Sequence, residues 1–189
     1  MSFVTERTGD IFAAEPGSIL IHACNCRGSW GAGIAAAFKA RYPQAFRVYK
    51  EHCDHNRNPR DLVGSCLLIP PQYGDHDKDP ENVHWIACLF TSDQYGRRRD
   101  GPEAILDATE KSIEDLLSQL KRVRDGDSQG KDKATDEEFG MLVSCRINSQ
   151  RFGVPWKRTE DVMESVLSKW NNEVKGEEWK LEVVERPGV

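Results

Sequence analysis

The apolar residues of this chain fall into short unbroken runs, separated by longer stretches with helical spacing. Ser18 to Ala23 (SILIHA) follows Pro16-Gly17, and Cys66 to Ile69 (CLLI) is stopped by Pro70-Pro71. With Val83 to Phe90 (VHWIACLF) and Met141 to Ile147 (MLVSCRI), these runs read as strands buried on both faces. Between them, Ile34, Ala35, Phe38 and Tyr42 share one face of a helix from Gly31 to Tyr42. Pro43 restarts a second helix, which carries Phe46, Tyr49 and Cys53. Asp100-Gly101-Pro102 opens a long helix in which Leu106, Thr109, Ile113, Leu116, Leu117, Leu120 and Val123 keep a 3.6-residue period. Thr159 is placed as the cap of a last helix bearing Val162, Met163, Val166, Leu167 and Trp170. Trp179, Leu181 and Val183 then alternate with Lys180 and Glu182, the pattern of an edge strand. Pro71 to Asn82 reads as polar loop. Arg124 to Glu138 is charged, holds no aliphatic residue larger than alanine, and reads as a mobile surface insertion.

Strands alternating with helices predict an α/β fold, with a mixed, mostly parallel sheet between two helical layers. Ligands of such folds sit in the crevice beyond the carboxyl ends of the strands. Two connections occupy that place, the one after Ala23 and the one after Ile147.

With 189 residues, 38% of them hydrophobic, the chain suits one domain with a sizeable core. Its net charge of -5 offers no basic excess for a nucleic-acid surface. The Arg97-Arg98-Arg99 run reads as a solvated loop rather than a ligand clamp. No apolar run approaches the roughly 18 residues of a membrane span, and Met1-Ser-Phe-Val-Thr-Glu lacks a signal-peptide pattern. An intracellular setting, cytoplasmic and also nuclear, is expected. The cysteines at 24, 26, 53, 66, 88 and 145 mostly lie in or beside apolar runs. They read as small buried residues rather than a disulfide framework.

The first candidate loop runs from Asn25 through Trp30, Gly31, Ala32, Gly33 and Ile34. Glycines here let backbone N–H groups approach a phosphate, and the opening helix adds its positive end. Asn25 offers a donor and an acceptor to a sugar or phosphate. The spacing is neither the dinucleotide fingerprint nor a P-loop, and a plain strand-to-helix turn would look the same. The second loop is Asn148-Ser149-Gln150-Arg151-Phe152-Gly153-Val154-Pro155-Trp156. It combines a hydroxyl, backbone donors around a glycine and an aromatic ring. An ordinary connection with Phe152 and Trp156 turned inward is the alternative. Two such loops at neighbouring strand ends would enclose one cleft.

Thr8-Gly9-Asp10-Ile11, His22 to Ile34, Cys88 to Ser92 and Ile147 to Lys157 together resemble the macrodomain family, in the same order and across nearly the whole chain. Within it they are most similar to fungal members that hydrolyse ADP-ribose 1''-phosphate, a by-product of tRNA splicing in the family. The resemblance implies a three-layer α/β/α macrodomain and release of phosphate and ADP-ribose. It implies that Asp10, beside Gly9 and Ile11, accepts a hydrogen bond from the adenine amino group. Asn25, with Ala23 and Cys24 next to it, would contact the distal ribose. Gly31 to Ile34, below Trp30, would line the diphosphate and distal ribose. Ser149 to Val154 would close over the diphosphate, with Phe152 near the distal ribose, and Asn148 before them would also belong to the ligand-binding set. ADP-ribosylated proteins are a further expected partner if the chain instead removes ADP-ribose from proteins. A non-catalytic ADP-ribose reader is the third reading. Related macrodomains that clear ADP-ribose from glutamate use a lysine and an aspartate in these loops; here the first loop has no lysine before Lys39.

Phosphoryl release needs an activated nucleophile, a proton donor or both. His22, with an ordinary pKa of roughly 6.5, is one candidate, or else a histidine satisfied inside the sheet. Asp93, after a strand end, can orient water, or else is a turn residue. With Asn25 these are the expected catalytic residues. Cys24 and Cys26 lack a neighbouring basic motif and read as buried. His22, Cys24 and Cys26 alternate on one strand, unlike the spacing of structural zinc sites. No metal and no cofactor is expected.

Overall fold

The computed structural model describes residues 2–76, 83–126, 139–174 and 178–186. The elements are strand β1 (Val4–Thr8), β2 (Ile19–Asn25), helices α1 (Gly33–Arg41) and α2 (Pro43–His55), and β3 (Cys66–Ile69). A single turn α3 (Tyr73–His76), β4 (Trp85–Ser92), α4 (Pro102–Arg124), β5 (Leu142–Ser144), α5 (Trp156–Glu173) and β6 (Leu181–Glu185) follow. One six-stranded sheet has the order β1-β6-β5-β2-β4-β3. Every neighbouring pair is parallel except β3 on β4. No described helix is long and apolar enough to cross a membrane.

Alternation along the strands sorts side chains between two layers. Ile19, Ile21, Ala87, Leu89, Leu142 and Val183 face α4 and α5, whose Leu116, Leu117, Met163 and Leu167 are buried against them. Leu20, Cys24, Ile86, Cys88, Phe90 and Val143 face α1, α2 and a short 3₁₀ turn at Ile11–Ala13. The result is the expected helix–sheet–helix sandwich.

Four sequence expectations shift. β1 has the polar sequence Val-Thr-Glu-Arg-Thr with only Val4 buried, so it carries no strand signal. It pairs with β6 from Val4 opposite Leu181 to Thr8 opposite Glu185. The edge expected at β6 therefore belongs to β1, and β6 lies inside the sheet. Within the predicted polar loop, α3 brings the buried Asp75 carboxylate to accept the Gln44 and Ala45 N–H groups at 2.9 and 3.2 Å. That caps α2, whose first turn begins with Pro43 and has no side-chain cap from its own N-cap residue. Helix α5 starts at Trp156 behind Pro155, and Thr159 is fully buried inside its first turn rather than capping it. β5 stops at Ser144 because the chain turns tightly, Ile147 N–H donating to Cys145 C=O at 2.7 Å. Of the charged insertion expected at 124–138, residues 127–138 lie outside the described residues; α4 closes on Asp125.

Candidate active site

Both candidate loops border one cavity of about 670 Å³ at the carboxyl ends of β2, β5 and β6. The first wall is built by Asn25. Its side-chain carbonyl accepts the Arg27 N–H at 2.9 Å and the Ser29 N–H at 3.4 Å, while its amide donates to Ser29 C=O at 2.7 Å. The Tyr49 hydroxyl on α2 donates to the Asn25 backbone carbonyl at 2.7 Å. This side chain borders the cavity and at the same time folds the loop around itself. Trp30 then turns inward, stacked on Tyr49 with ring centroids 5.0 Å apart. That anchor leaves Gly31, Ala32 and Gly33 exposed at the mouth of α1.

Helix α1 has no side-chain cap and no acidic residue in its first turn. Its first N–H groups therefore keep their donor capacity, and the helix adds a positive end, at the cavity wall formed by Gly33, Ile34 and Ala35. Gly33 has φ +59, the left-handed region that a side chain resists. Anions are the ligands such a helix end favours.

The second wall hangs on Asn148, buried and at φ 64. Its amide donates to Thr109 Oγ1 on α4 at 2.9 Å, and its side-chain oxygen accepts from Thr91 Oγ1 on β4 at 3.0 Å. Val154 N–H returns to Asn148 C=O at 3.0 Å and closes the loop. The Ser149 hydroxyl donates to Arg146 C=O at 2.5 Å. Phe152 turns inward onto Ile105, Leu106 and Val154 yet still borders the cavity. Gly153, at φ +70, lies against the Arg99 guanidinium, whose Nε donates to Phe152 C=O at 2.9 Å. Of the three-arginine run expected to be solvated, Arg99 thus locks this loop.

The expected binding residues sort as follows. Ile11, Ala23, Cys24, Asn25, Trp30 and Gly31 to Ile34 border the cavity, as do Asn148, Ser149, Gln150, Arg151 and Phe152. Gly9, Asp10, Gly153 and Val154 are not among the residues that line it. Asp10 accepts the Phe12 N–H at 3.0 Å through one carboxylate oxygen and so caps the 3₁₀ turn that presents Ile11.

Two of the expected catalytic residues do not border the cavity. Alternation along β2 turns His22 to the α1 side of the sheet, where its ring stacks on Phe38 at 4.2 Å and meets the edge of Trp30 at 4.7 Å. It is fully buried there. Asp93 is buried beneath the first loop, its carboxylate receiving Arg27 at 2.8 Å and Arg60 at 3.6 Å. Its backbone carbonyl accepts the Cys26 N–H. Both residues hold the first loop from below. Of the zinc-like trio considered, Cys26 donates instead to Ser92 C=O, and Cys88 takes its place. The donor atoms of His22, Cys24 and Cys88 lie within 4.8 Å of one another. Three donors fall short of the four of a closed structural zinc site.

The sequence reading did not name Tyr95, Gly96, Arg146, Glu185 and Arg186, which also border the cavity, as does Trp156 at the end of the second loop. Tyr95, an exposed aromatic inside a polar run, was the one available signal. Arg146, Glu185 and Arg186 depend on β6 pairing between β1 and β5. Arg146 bridges Glu6 and Glu185, both at 2.7 Å, and the Trp156 indole also donates to Glu6. The Arg146 hydrogen bond holds the Glu6 carboxyl below its ordinary value. A carboxylate depressed in this way contributes stability above the ordinary glutamate range and loses it as pH falls through the lowered value. Because these groups are partly exposed, the effect is small, about 0.2–1 kcal/mol. In urea melts, the stability difference between the parent and Glu6→Gln should be present at neutral pH and vanish in acid; a constant difference would exclude this linkage.

The Macro domain family matches residues 21–163, and the chain belongs to that family. It is 41% identical over 185 residues to the ADP-ribose 1''-phosphate phosphatase of Aspergillus fumigatus, covering 86% of this chain and 90% of the relative. It is 41% identical over 169 residues to the enzyme of the same name from Meyerozyma guilliermondii, covering 86% and 93%. Among solved structures, the macrodomain of Mycobacterium tuberculosis DarG aligns over 96% of both chains with a TM-score of 0.68 at 18% identity. Thermosipho africanus DarTG in complex with ADP-ribose aligns over 98% of this chain and 42% of its own, with a TM-score of 0.67 at 16% identity.

Proposed function

We propose that this chain hydrolyses ADP-ribose 1''-phosphate to ADP-ribose and inorganic phosphate. The observation that carries the reading is the identity of about 40% with phosphatases of that name, extending over most of both chains. The two-walled cleft gives that identity a physical basis. Its helix end suits phosphate oxygens, and its volume of about 670 Å³ suits a ligand of dinucleotide size.

The reaction breaks the phosphorus–oxygen bond at C1''. Water supplies oxygen to phosphorus, and a proton ends on the departing sugar oxygen. Positioning and charge stabilisation supply most of what phosphoryl transfer requires. In this reading the backbone donors of Gly33 to Ala35 and of the second loop hold phosphate oxygens, and Asn25 fixes the first loop against the reacting sugar. His22 and Asp93 act as positioning residues, through Trp30 and through Arg27 and Cys26. Asp10 binds the adenine amino group with the carboxylate oxygen left free by the Phe12 N–H. Asp10→Ala should weaken ADP-ribose binding by about tenfold, the cost of one hydrogen bond to a charged group, with little change in kcat. Unchanged affinity in calorimetry would remove Asp10 from the adenine end.

Phosphate release from ADP-ribose 1''-phosphate tests the whole proposal. A parallel incubation with a glutamate-ADP-ribosylated protein separates it from de-ADP-ribosylation. Release of ADP-ribose from the protein with no phosphatase activity would replace this reading. We also propose that the substrate arises intracellularly as a tRNA-splicing by-product, so that it accumulates in cells lacking the protein.

A further inference from the structure

Among the described residues, the cations that border the cleft are Arg146, Arg151 and Arg186. They differ in how their charge is used. Arg146 is held by two carboxylates, Glu6 and Glu185, both at 2.7 Å. Arg186 follows β6, which β5 separates from β2 and the first loop. Arg151 stands in an exposed part of the second loop, just ahead of the inward-turned Phe152. Its guanidinium has no hydrogen-bond or ion-pair partner among the described residues.

The Arg151 side chain reaches the first loop. A methyl group placed on Gly33 would meet its Nε at 3.7 Å and its Cγ at 3.8 Å. The carboxylate that borders the cleft, Glu185, is already engaged by Arg146. A guanidinium that no acid neutralises therefore lies where the two walls of the cleft meet. The phosphates of ADP-ribose 1''-phosphate place unequal demands on such a group. Each phosphate of the diphosphate carries one charge, which backbone N–H groups at a helix end suit. The terminal monoester has three free oxygens and close to two charges at neutral pH. A planar guanidinium fork bonds two such oxygens at once. The monoester must also meet water and leave as inorganic phosphate, which suits the exposed position of Arg151.

We propose that Arg151 recognises the terminal phosphate and so distinguishes the substrate from the product ADP-ribose, an assignment that rests on the phosphatase reading above. Its guanidinium holds two oxygens of the 1''-phosphate. Its charge opposes the negative charge on those oxygens as the phosphorus–oxygen bond to the sugar breaks. Arginine stays protonated throughout, so the proton balance of the hydrolysis is unchanged.

The test assays Arg151→Gln and Arg151→Lys for phosphate release from ADP-ribose 1''-phosphate and measures their ADP-ribose affinity by calorimetry. Arg151→Gln should lose about tenfold to a hundredfold in kcat/KM, the range of a hydrogen bond to a charged group. Arg151→Lys keeps the charge without the fork and should recover part of that loss. ADP-ribose affinity should change little in either variant, which also shows that the fold is intact. Unchanged kcat/KM in Arg151→Gln overturns the proposal. So does an equal loss of ADP-ribose affinity, which would put the guanidinium on the diphosphate. If the parent releases no phosphate, the phosphatase reading fails, and calorimetry with ADP-ribose 1''-phosphate itself decides the role of Arg151. The parent should then bind it more tightly than ADP-ribose, and Arg151→Gln should abolish the difference. Equal affinities in the parent, or a preference that survives in Arg151→Gln, overturn the assignment.

Discussion

Asn25→Ala should lower kcat/KM for ADP-ribose 1''-phosphate by about a hundredfold or more, with a much smaller effect on the melting temperature. The side chain makes three hydrogen bonds to the loop that follows it, to Arg27 N–H and to Ser29 N–H and C=O. Alanine leaves those groups to water or to one another, and the loop that leads into α1 loses its fixed path. A displacement of about 1 Å at reacting atoms costs roughly 10²-fold. Asn25→Asp keeps the acceptor but loses the donor to Ser29 C=O, so it should fall between the parent and alanine. Wild-type turnover by Asn25→Ala in a phosphate-release assay would remove the first loop from the chemistry.

Trp30→Ala should have the largest effect on stability. Trp30 is 2% exposed and stands at the centre of a ring cluster with His22, Phe38, Phe46 and Tyr49. Truncating so large a buried side chain costs about 3–5 kcal/mol, a large share of the 5–15 kcal/mol typical of a domain. At roughly 2–4 °C per kcal/mol for a chain of this size, the melting temperature should drop by about 10 °C. The same cluster underlies the first loop, so activity should fall even at temperatures where the variant is folded. Trp30→Phe should recover most of the stability. A melting temperature within a degree or two of the parent would contradict the anchoring role.

The four long helices, the buried strands and both loops were legible because each depends on local pattern; the single turn α3, in a stretch that reads as polar loop, was not. β2 and β4 are continuous apolar runs, and α4 holds its period through to Leu120. β1 was not legible. Four of its five residues are exposed, and its place comes from pairing with β6 at the far end of the chain. The cleft was readable on the side of the two loops and unreadable at Arg146, Glu185 and Arg186, which that pairing assembles. His22 shows a different limit. Its position on β2 was evident, but which face of the sheet it takes depends on register and on Phe38 arriving from α1. Residue type suggested a proton carrier; packing made it a stacked core ring. Asn148 reads as a ligand contact from its place in the second loop; it borders the cleft, and packing also ties its side chain to Thr91 and Thr109, which sequence does not show.

Release of inorganic phosphate from purified ADP-ribose 1''-phosphate by the purified protein is the most direct measurement of the central claim. The expected result is one phosphate and one ADP-ribose per substrate consumed, with activity lost in Asn25→Ala. Tight binding of ADP-ribose with no phosphate released would contradict it, and would leave the cleft a binding site without this chemistry.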